Sequence, residues 1–329
     1  MDNFRAYRID QQDKKVVADF CRLSLTDLTE GDVVIRVSHS TINYKDALAA
    51  TGAGRILRKF PLVGGIDLAG TVASSNDDRF AEGQAVLVNG CGLSETADGG
   101  YAEYARVSAD AVVPIPDGMS AFEAMQIGTA GYTAALAIHR MEQNGQFPEN
   151  GPVVVTGATG GVGSIAIDML DARGYDVVAV TGKAEQADYL QSIGARRILP
   201  RNEIDLGKRP MEKAEWAGAI DNLGGETLTW LTRTMQYGGN IASIGLAAGF
   251  ELNTTVIPFI LRAVCLLGIN SVDTPRELRL AVWNRIGSDL RPRHLATIGS
   301  KTITFDELPD AFQAFIDGTV TGRTVVTIP

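Results

Sequence analysis

The sequence predicts an α/β fold, a doubly wound parallel sheet inserted in a mostly β unit, and three observations predict it. Residues 153–163, V-V-V-T-G-A-T-G-G-V-G, lead from an apolar β-branched run through a glycine-rich turn into an apolar helix and a second apolar strand. That succession is a βαβ unit of the expected length. Before about residue 120 the chain instead shows short β-type segments broken by Gly, Asp and Asn. The tail returns to β character, so it rejoins the first unit. The expected division is therefore a discontinuous catalytic domain over 1–124 and 297–329, with a nucleotide-binding domain over 125–296 inserted in it.

The elements follow in order. Strands over 33–40, 69–73, 85–89, 102–107 and 111–114 suit a small β unit or partial barrel. From Ala121 the period turns helical, with 121–139 rich in Ala, Met and Ile. Strands over 153–156, 177–180, 197–199, 217–221, 239–244 and 264–268 then alternate with helices over 163–173, 184–193 and 226–235. Repeated β-α-β implies a parallel sheet covered on both faces. A helical stretch over 274–288 precedes the tail, which reads strand over 302–305, helix over 307–316 and strand over 323–328. There are no internal repeats or low-complexity segments.

Composition bounds the function. A chain of 329 residues with 45 % hydrophobic content can fill two cores, and two compact units with a cleft between them are expected. The net charge of −9 argues against a nucleic-acid coat or an anionic membrane surface as main partner. Cys21, Cys91 and Cys265 are widely spaced and odd in number, so neither a disulfide framework nor a zinc cluster follows. The start M-D-N-F-R-A-Y-R lacks a secretory h-region, and no apolar run approaches the length that crosses a bilayer. A cytoplasmic protein acting on a small molecule is expected, with neither nucleic acid nor membrane as partner.

The glycine turn carries the first chemistry. Gly160, Gly161 and Gly163 open the helix, so backbone amides face outward at its start, an arrangement that binds a pyrophosphate. Its spacing departs from the strict G-x-G-x-x-G form, and the alternative is a loop that merely joins strand to helix. The strand that follows makes a Rossmann-type dinucleotide site the better reading. At the end of that strand, where a site for NAD carries Asp or Glu, stand Thr181, Gly182 and Lys183. No carboxylate there repels a 2′-phosphate, Thr181 can hydrogen-bond it, and Lys183 can offset its charge. The cofactor is thus read as NADPH, unless Lys183 is only a solvated lysine at a helix start.

Further motifs run the length of the chain: N-Y-K-D-A-L at 43–48, R-K-F-P at 58–61, G-G-I-D-L-A-G-T-V at 64–72, G-G-Y-A-E-Y at 99–104, G-T-A-G-Y-T-A at 128–134, W-A-G-A-I-D at 216–221, T-T-V-I-P-F-I-L-R at 254–262 and G-R-T-V-V at 322–326. Their order resembles the medium-chain dehydrogenase/reductase superfamily. Within it the chain is most similar to the zinc-independent quinone-oxidoreductase branch and its acrylyl-CoA reductase group. The resemblance implies a GroES-like catalytic domain around the Rossmann domain. It also implies cofactor contacts from Thr159, Gly160, Gly161 and Val162 at the pyrophosphate, and from Thr181, Gly182, Lys183 and Arg201 around the 2′-phosphoribose. Tyr44, Leu246, Asn270 and Ser271 would border the nicotinamide, and Arg323 would approach from the tail. Arg201 and Arg323 have the alternative of being surface salt-bridge residues. A homodimer formed through the strand over 264–268, with 258–261 beside it, is implied too.

The same resemblance addresses the metal. The alcohol-dehydrogenase branch places zinc ligands at positions that here fall in 43–46 and 65–67, where Ile66 stands in place of histidine, and the four-cysteine lobe is absent. No metal is expected. Without a Lewis acid a simple ketone lacks its polarising partner, so an alkene conjugated to a carbonyl is the better substrate. The implied reaction is NADPH-dependent reduction of acryloyl-CoA or a close short-chain 2-enoyl thioester. Tyr44 is the expected proton donor or positioning group, with Asn43 and Asp67 as polar wall residues; alternatively Tyr44 only packs on the nicotinamide and Asp67 only holds the backbone. Arg55, Arg58, Lys59 and Arg262 are candidates to meet CoA phosphates. Two other readings stay open: an NADPH:quinone oxidoreductase, and a non-catalytic NADPH-binding protein.

Overall fold

The computed structural model describes residues 3–329. It opens with a hairpin, β1 (Phe4–Gln12) and β2 (Lys15–Leu23). Then come β3 (Val33–Ile42), helix α1 (Tyr44–Thr51), β4 (Leu62–Val63), β5 (Asp67–Ser75), β6 (Ala85–Asn89), β7 (Tyr104–Val107) and β8 (Val113–Pro114). Helix α2 (Ala121–Gln143) is broken at Gly128, whose φ of 49° and ψ of −159° are not helical.

The strand–helix alternation that follows comprises β9 (Val153–Thr156), α3 (Gly161–Ala172), β10 (Val177–Thr181), α4 (Ala187–Ser192), β11 (Arg197–Pro200), β12 (Trp216–Asp221), α5 (Gly225–Thr234), β13 (Met235–Ser243), α6 (Ile257–Leu261) and β14 (Cys265–Gly268). The chain ends with α7 (Arg276–Ile286), α8 (Leu295–Ile298), β15 (Lys301–Thr304), α9 (Leu308–Ile316) and β16 (Thr324–Thr327).

The chain divides into two compact units. The first comprises 1–129, 271–287 and 299–329, and the second 130–270 and 288–298. In the first, β15-β16-β3-β5-β6-β8 form a sheet with β7 also pairing β3, beside the smaller sheet β2-β1-β4. Its core takes Val33, Ile35 and Val37 from β3, Val86 and Val88 from β6, and Phe305, Leu308 and Phe312 from the tail. The tail reaches this sheet because β16 pairs antiparallel with β3.

The second unit is a six-stranded sheet in the order β11-β10-β9-β12-β13-β14, and every pair in it is parallel. Every residue of β9, β10 and β12 is buried, as strands covered on both faces require. The strand order reverses between β9 and β12, so the strand ends nearest that point offer the crevice where such sheets take a ligand.

The observed division differs from the expected one at 271–287, which belongs to the first unit. Two side chains of α7 tie it there: Arg279 Nη1 donates to Asn89 O at 2.7 Å, and Trp283 Nε1 donates to Asn89 Oδ1 at 2.9 Å. Among the described residues no helix is long and apolar enough to cross a membrane.

Candidate active site

The nucleotide turn starts where β9 ends. Gly157 takes φ 59°, and the Gly160 N–H donates to its carbonyl at 3.0 Å. A Cβ on Gly163 would lie 2.4 Å from Gly157 O and 2.8 Å from Ala158 Cα, so only glycine lets α3 begin against the strand turn. The amides of Gly161, Val162 and Gly163 have no intrahelical acceptor, and no acidic side chain occupies the first turn of α3. Free donors and the positive end of the helix dipole therefore meet at one place, which fits a pyrophosphate. The Thr159 side chain is buried, so this residue offers the turn its backbone.

The end of β10 supplies the second contact set. The buried Thr181 hydroxyl accepts the Lys183 N–H at 2.9 Å, which turns the chain there. The β10–β11 register pairs Thr181 with Pro200, and this sets Arg201 beside Gly182: a Cβ on Gly182 would lie 3.5 Å from Arg201 Nη2. Two cationic side chains thus flank a strand end that carries no carboxylate. Partial burial draws the Lys183 ammonium below its ordinary pKa, with Glu185 opposing the shift. Leu246 follows β13 and Asn270 follows β14, and both are exposed. All these residues follow the carboxyl ends of parallel strands, so the second unit gathers them on one edge of its sheet.

In the first unit Asn43 precedes α1, and its side chain is fixed from both ends. Its Nδ2 donates to Asp67 Oδ2 at 2.7 Å and Asp46 Oδ2 at 3.1 Å, while its Oδ1 accepts Arg323 Nη1 at 3.0 Å. Asp46 also accepts the Asn43 N–H at 2.8 Å, the reciprocal half of a capping box, and the Ile66 N–H at 2.9 Å. Asp67 accepts the Thr129 N–H at 2.9 Å and its hydroxyl at 2.7 Å, so it caps the helix where α2 resumes after its break. Gly128 is required at that break, because a Cβ would lie 2.7 Å from Arg323 Nη2 and 3.0 Å from Asp67 Oδ2.

Asp67 and Arg323 correct the expectations placed on them. Asp67 is 0 % exposed and lines no open wall. Arg323 is 3 % exposed and is no surface salt bridge; Nε donates to Gln126 O at 3.1 Å and Nη2 to Thr41 Oγ1 at 2.8 Å, besides the bond to Asn43. Its Nε, Nη1 and Nη2 all donate within the protein, and through Nη1 it orients Asn43. Burial raises the Asp67 pKa against the pull of Arg323, and burial lowers that of Arg323. Burial, then the charge of Asp67, pushes Asp46 up to about 7. Asp46 was not among the expected site residues, although the N-x-x-D spacing of a helix cap marks it in the sequence.

Tyr44 differs from these neighbours. It is the first residue of α1 and 49 % exposed, so its ring projects from the anchored cluster toward solvent. Ser271 lies in the first unit on the segment that Arg279 holds, its carbonyl accepting Nη2 at 3.2 Å. Arg262 corrects a further expectation: its guanidinium donates to the carbonyls of Arg233, Met235 and Glu212 and so ties backbone together. Zinc has no fitting donor set, because no three His, Cys, Asp or Glu side chains among the described residues come together as one. His294 instead bonds Asp168 at 2.9 Å, and His39 stacks its ring edge-on to Phe122.

Comparison with known proteins matches both units. Residues 29–117 fit the alcohol dehydrogenase GroES-like domain family, and residues 161–286 fit the zinc-binding dehydrogenase family. The chain is 48 % identical over 326 residues to the putative quinone oxidoreductase YhfP of Bacillus subtilis, covering 99 % of each chain. It is 46 % identical over 320 residues to the acrylyl-CoA reductase AcuI of Ruegeria pomeroyi, covering 97 % of each. The yhdH oxidoreductase from Salmonella enterica, solved in complex with NADP, superposes with a TM-score of 0.95 at 48 % identity, covering 99 % of this chain and all of that one. The Bacillus subtilis protein yhfP, solved with NAD bound, superposes with a TM-score of 0.96 at 47 % identity, with coverage of 99 % and 100 %.

Proposed function

Since the chain belongs to the medium-chain dehydrogenase/reductase superfamily, we propose that it reduces the carbon–carbon double bond of acryloyl-CoA, or a close short-chain 2-enoyl thioester, with NADPH and without a metal. The observation that carries this reading is the exposed Tyr44 on a cluster that offers no donor set for a Lewis acid. Such a site would have to polarise an isolated ketone through a hydroxyl alone, whereas a conjugated alkene activates its own β-carbon. Full-length similarity to an acrylyl-CoA reductase supports the same substrate.

Bound NADPH supplies the hydride. The free amides of the α3 turn hold the pyrophosphate, and Thr181, Lys183 and Arg201 receive the 2′-phosphate. Asn43, locked by Arg323 and the two carboxylates, fixes the start of α1 and with it the position of Tyr44. Negative charge develops on the thioester oxygen, where backbone amides stabilise it. The Tyr44 hydroxyl donates or relays the proton that completes the reaction at the α-carbon.

Quinone reduction is the second reading, favoured by the name of the Bacillus subtilis relative. NADPH oxidation followed with acryloyl-CoA and with 1,4-benzoquinone in parallel, NADH as control, separates the readings. Turnover of the thioester with NADPH and little with NADH is expected. Turnover of the quinone alone would transfer the chain to the second reading, and no oxidation with either would make it a binding protein.

The proposal extends to a cytoplasmic homodimer. Free cysteines suit a reducing compartment. The edge strand β14 and the exposed Ile260 and Leu261 beside it offer a self-pairing face.

A further inference from the structure

The first unit contains a cavity of about 500 Å³ lined by Lys45, Arg55, Ile56, Leu57, Arg58 and Glu95. Lys45 follows Tyr44 on α1, and the residues from Arg55 to Arg58 lie on the loop between α1 and β4. That loop is anchored at two points. Leu57, 4 % exposed, packs with Ile9, Ala49 and Leu62, and the Arg58 N–H donates to Glu95 O at 2.8 Å. The Glu95 carboxylate is engaged by Lys45. Arg55 and Arg58 are exposed, and neither guanidinium has an ion-pair partner among the described residues.

A chain of net charge −9 therefore brings three cations around one concavity and balances them with a single carboxylate. Two unpaired guanidinium forks at a fixed loop suit phosphate oxygens, which they meet through paired, charge-assisted hydrogen bonds. The volume falls within the range of small-molecule sites. The cavity also adjoins the residue assigned to the reacting end of the substrate, because Lys45 is the next residue after Tyr44.

We infer that this cavity receives phosphate groups of the CoA moiety, with Arg55 and Arg58 as the phosphate-binding residues and the Lys45–Glu95 pair as its wall. The inference rests on the thioester reading and deepens it. It assigns the enzyme's preference for a CoA-borne acyl group to the first unit, apart from the 2′-phosphate contacts of the second. It also separates Arg55 and Arg58 from Arg262, whose guanidinium is already bound to three carbonyls.

The test compares kcat/KM for acryloyl-CoA, its 3′-dephospho form and acryloyl-pantetheine, in the natural protein and in R55A, R58A, R58K and the double variant R55A/R58A. NADPH binding, followed by fluorescence, reports that each variant is folded. The natural protein should favour acryloyl-CoA over acryloyl-pantetheine by about tenfold or more, chiefly in KM, as expected for hydrogen bonds to charged groups. The double variant should bring that ratio close to one, and R58K should keep part of it. Truncation to the 3′-dephospho form shows which phosphate the cavity holds. Equal kcat/KM for the CoA and pantetheine thioesters in the natural protein overturns the inference while leaving the proposed function standing. A preference that survives intact in the double variant does the same. If no thioester is reduced, the proposed function itself fails, and this inference with it.

Discussion

Asp46 concentrates the electrostatics of the site in one side chain. It is 1 % exposed, shares the Asn43 amide with Asp67, and has its pKa pushed up to about 7, first by burial and then by the charge of Asp67. A carboxyl whose folded pKa is raised favours the folded protein below its ordinary value near 4, and that stability is lost as pH rises through about 7. Between pH 5 and 8 the unfolding free energy should therefore fall by up to a few kcal/mol on account of this group. Asp46→Asn should flatten the decline in the same window; urea titrations at several pH values measure it, and an unaltered slope would rule Asp46 out as its source. The sequence made the members of this cluster visible but not their roles. N-Y-K-D and G-R-T-V-V read the same whether their side chains meet a ligand or one another, and the deciding partners are remote: Thr129 lies 62 positions from Asp67, and Arg323 lies 280 from Asn43.

At the scale of elements, the strands that build the nucleotide site were legible because β9 and β10 are runs of β-branched residues, interrupted only by Ala179, buried on both faces. The β1–β2 hairpin was not. Much of β2 is half-buried or exposed, and the turn uses Asp13 and Lys14 at φ 48° and 65°, without the glycine that usually signals such a reversal. Helix α1 escaped as well, since its eight residues are too few to show a period. A consequence of strand pairing can be tested: the β10–β11 register, not proximity in sequence, sets Arg201 beside Gly182, the residue before Lys183. K183A and R201A should each weaken NADPH binding about tenfold, as losing a hydrogen bond to a charged phosphate does, and together by more. Neither should alter NADH affinity, because NADH carries no 2′-phosphate. Equal losses for both cofactors in a binding titration would show that these side chains serve the turn and not the phosphate.

For the whole molecule, β14 is the edge of the six-stranded sheet, so one side of its backbone is unpaired within the chain. Around it Tyr237, Val256, Ile260 and Leu261 are 81 %, 66 %, 71 % and 61 % exposed, and Leu266 on the strand itself is 38 % exposed. An open edge flanked by large apolar side chains invites pairing with a like edge, and a two-fold axis there would join two sheets and cover the apolar rim at once. Light scattering on the natural protein at micromolar concentration should therefore give twice the chain mass of 35.0 kDa. Charges of one sign at the rim should undo the pairing without touching either core: the double variant Ile260→Lys/Leu266→Lys is expected to elute as a folded monomer with unchanged far-ultraviolet dichroism. A monomeric natural protein would leave this exposed rim without the occupant proposed for it. A double variant that stays dimeric would move the two-fold axis to another face, because two charges on each side of a shared edge cannot be buried together without strong repulsion and desolvation.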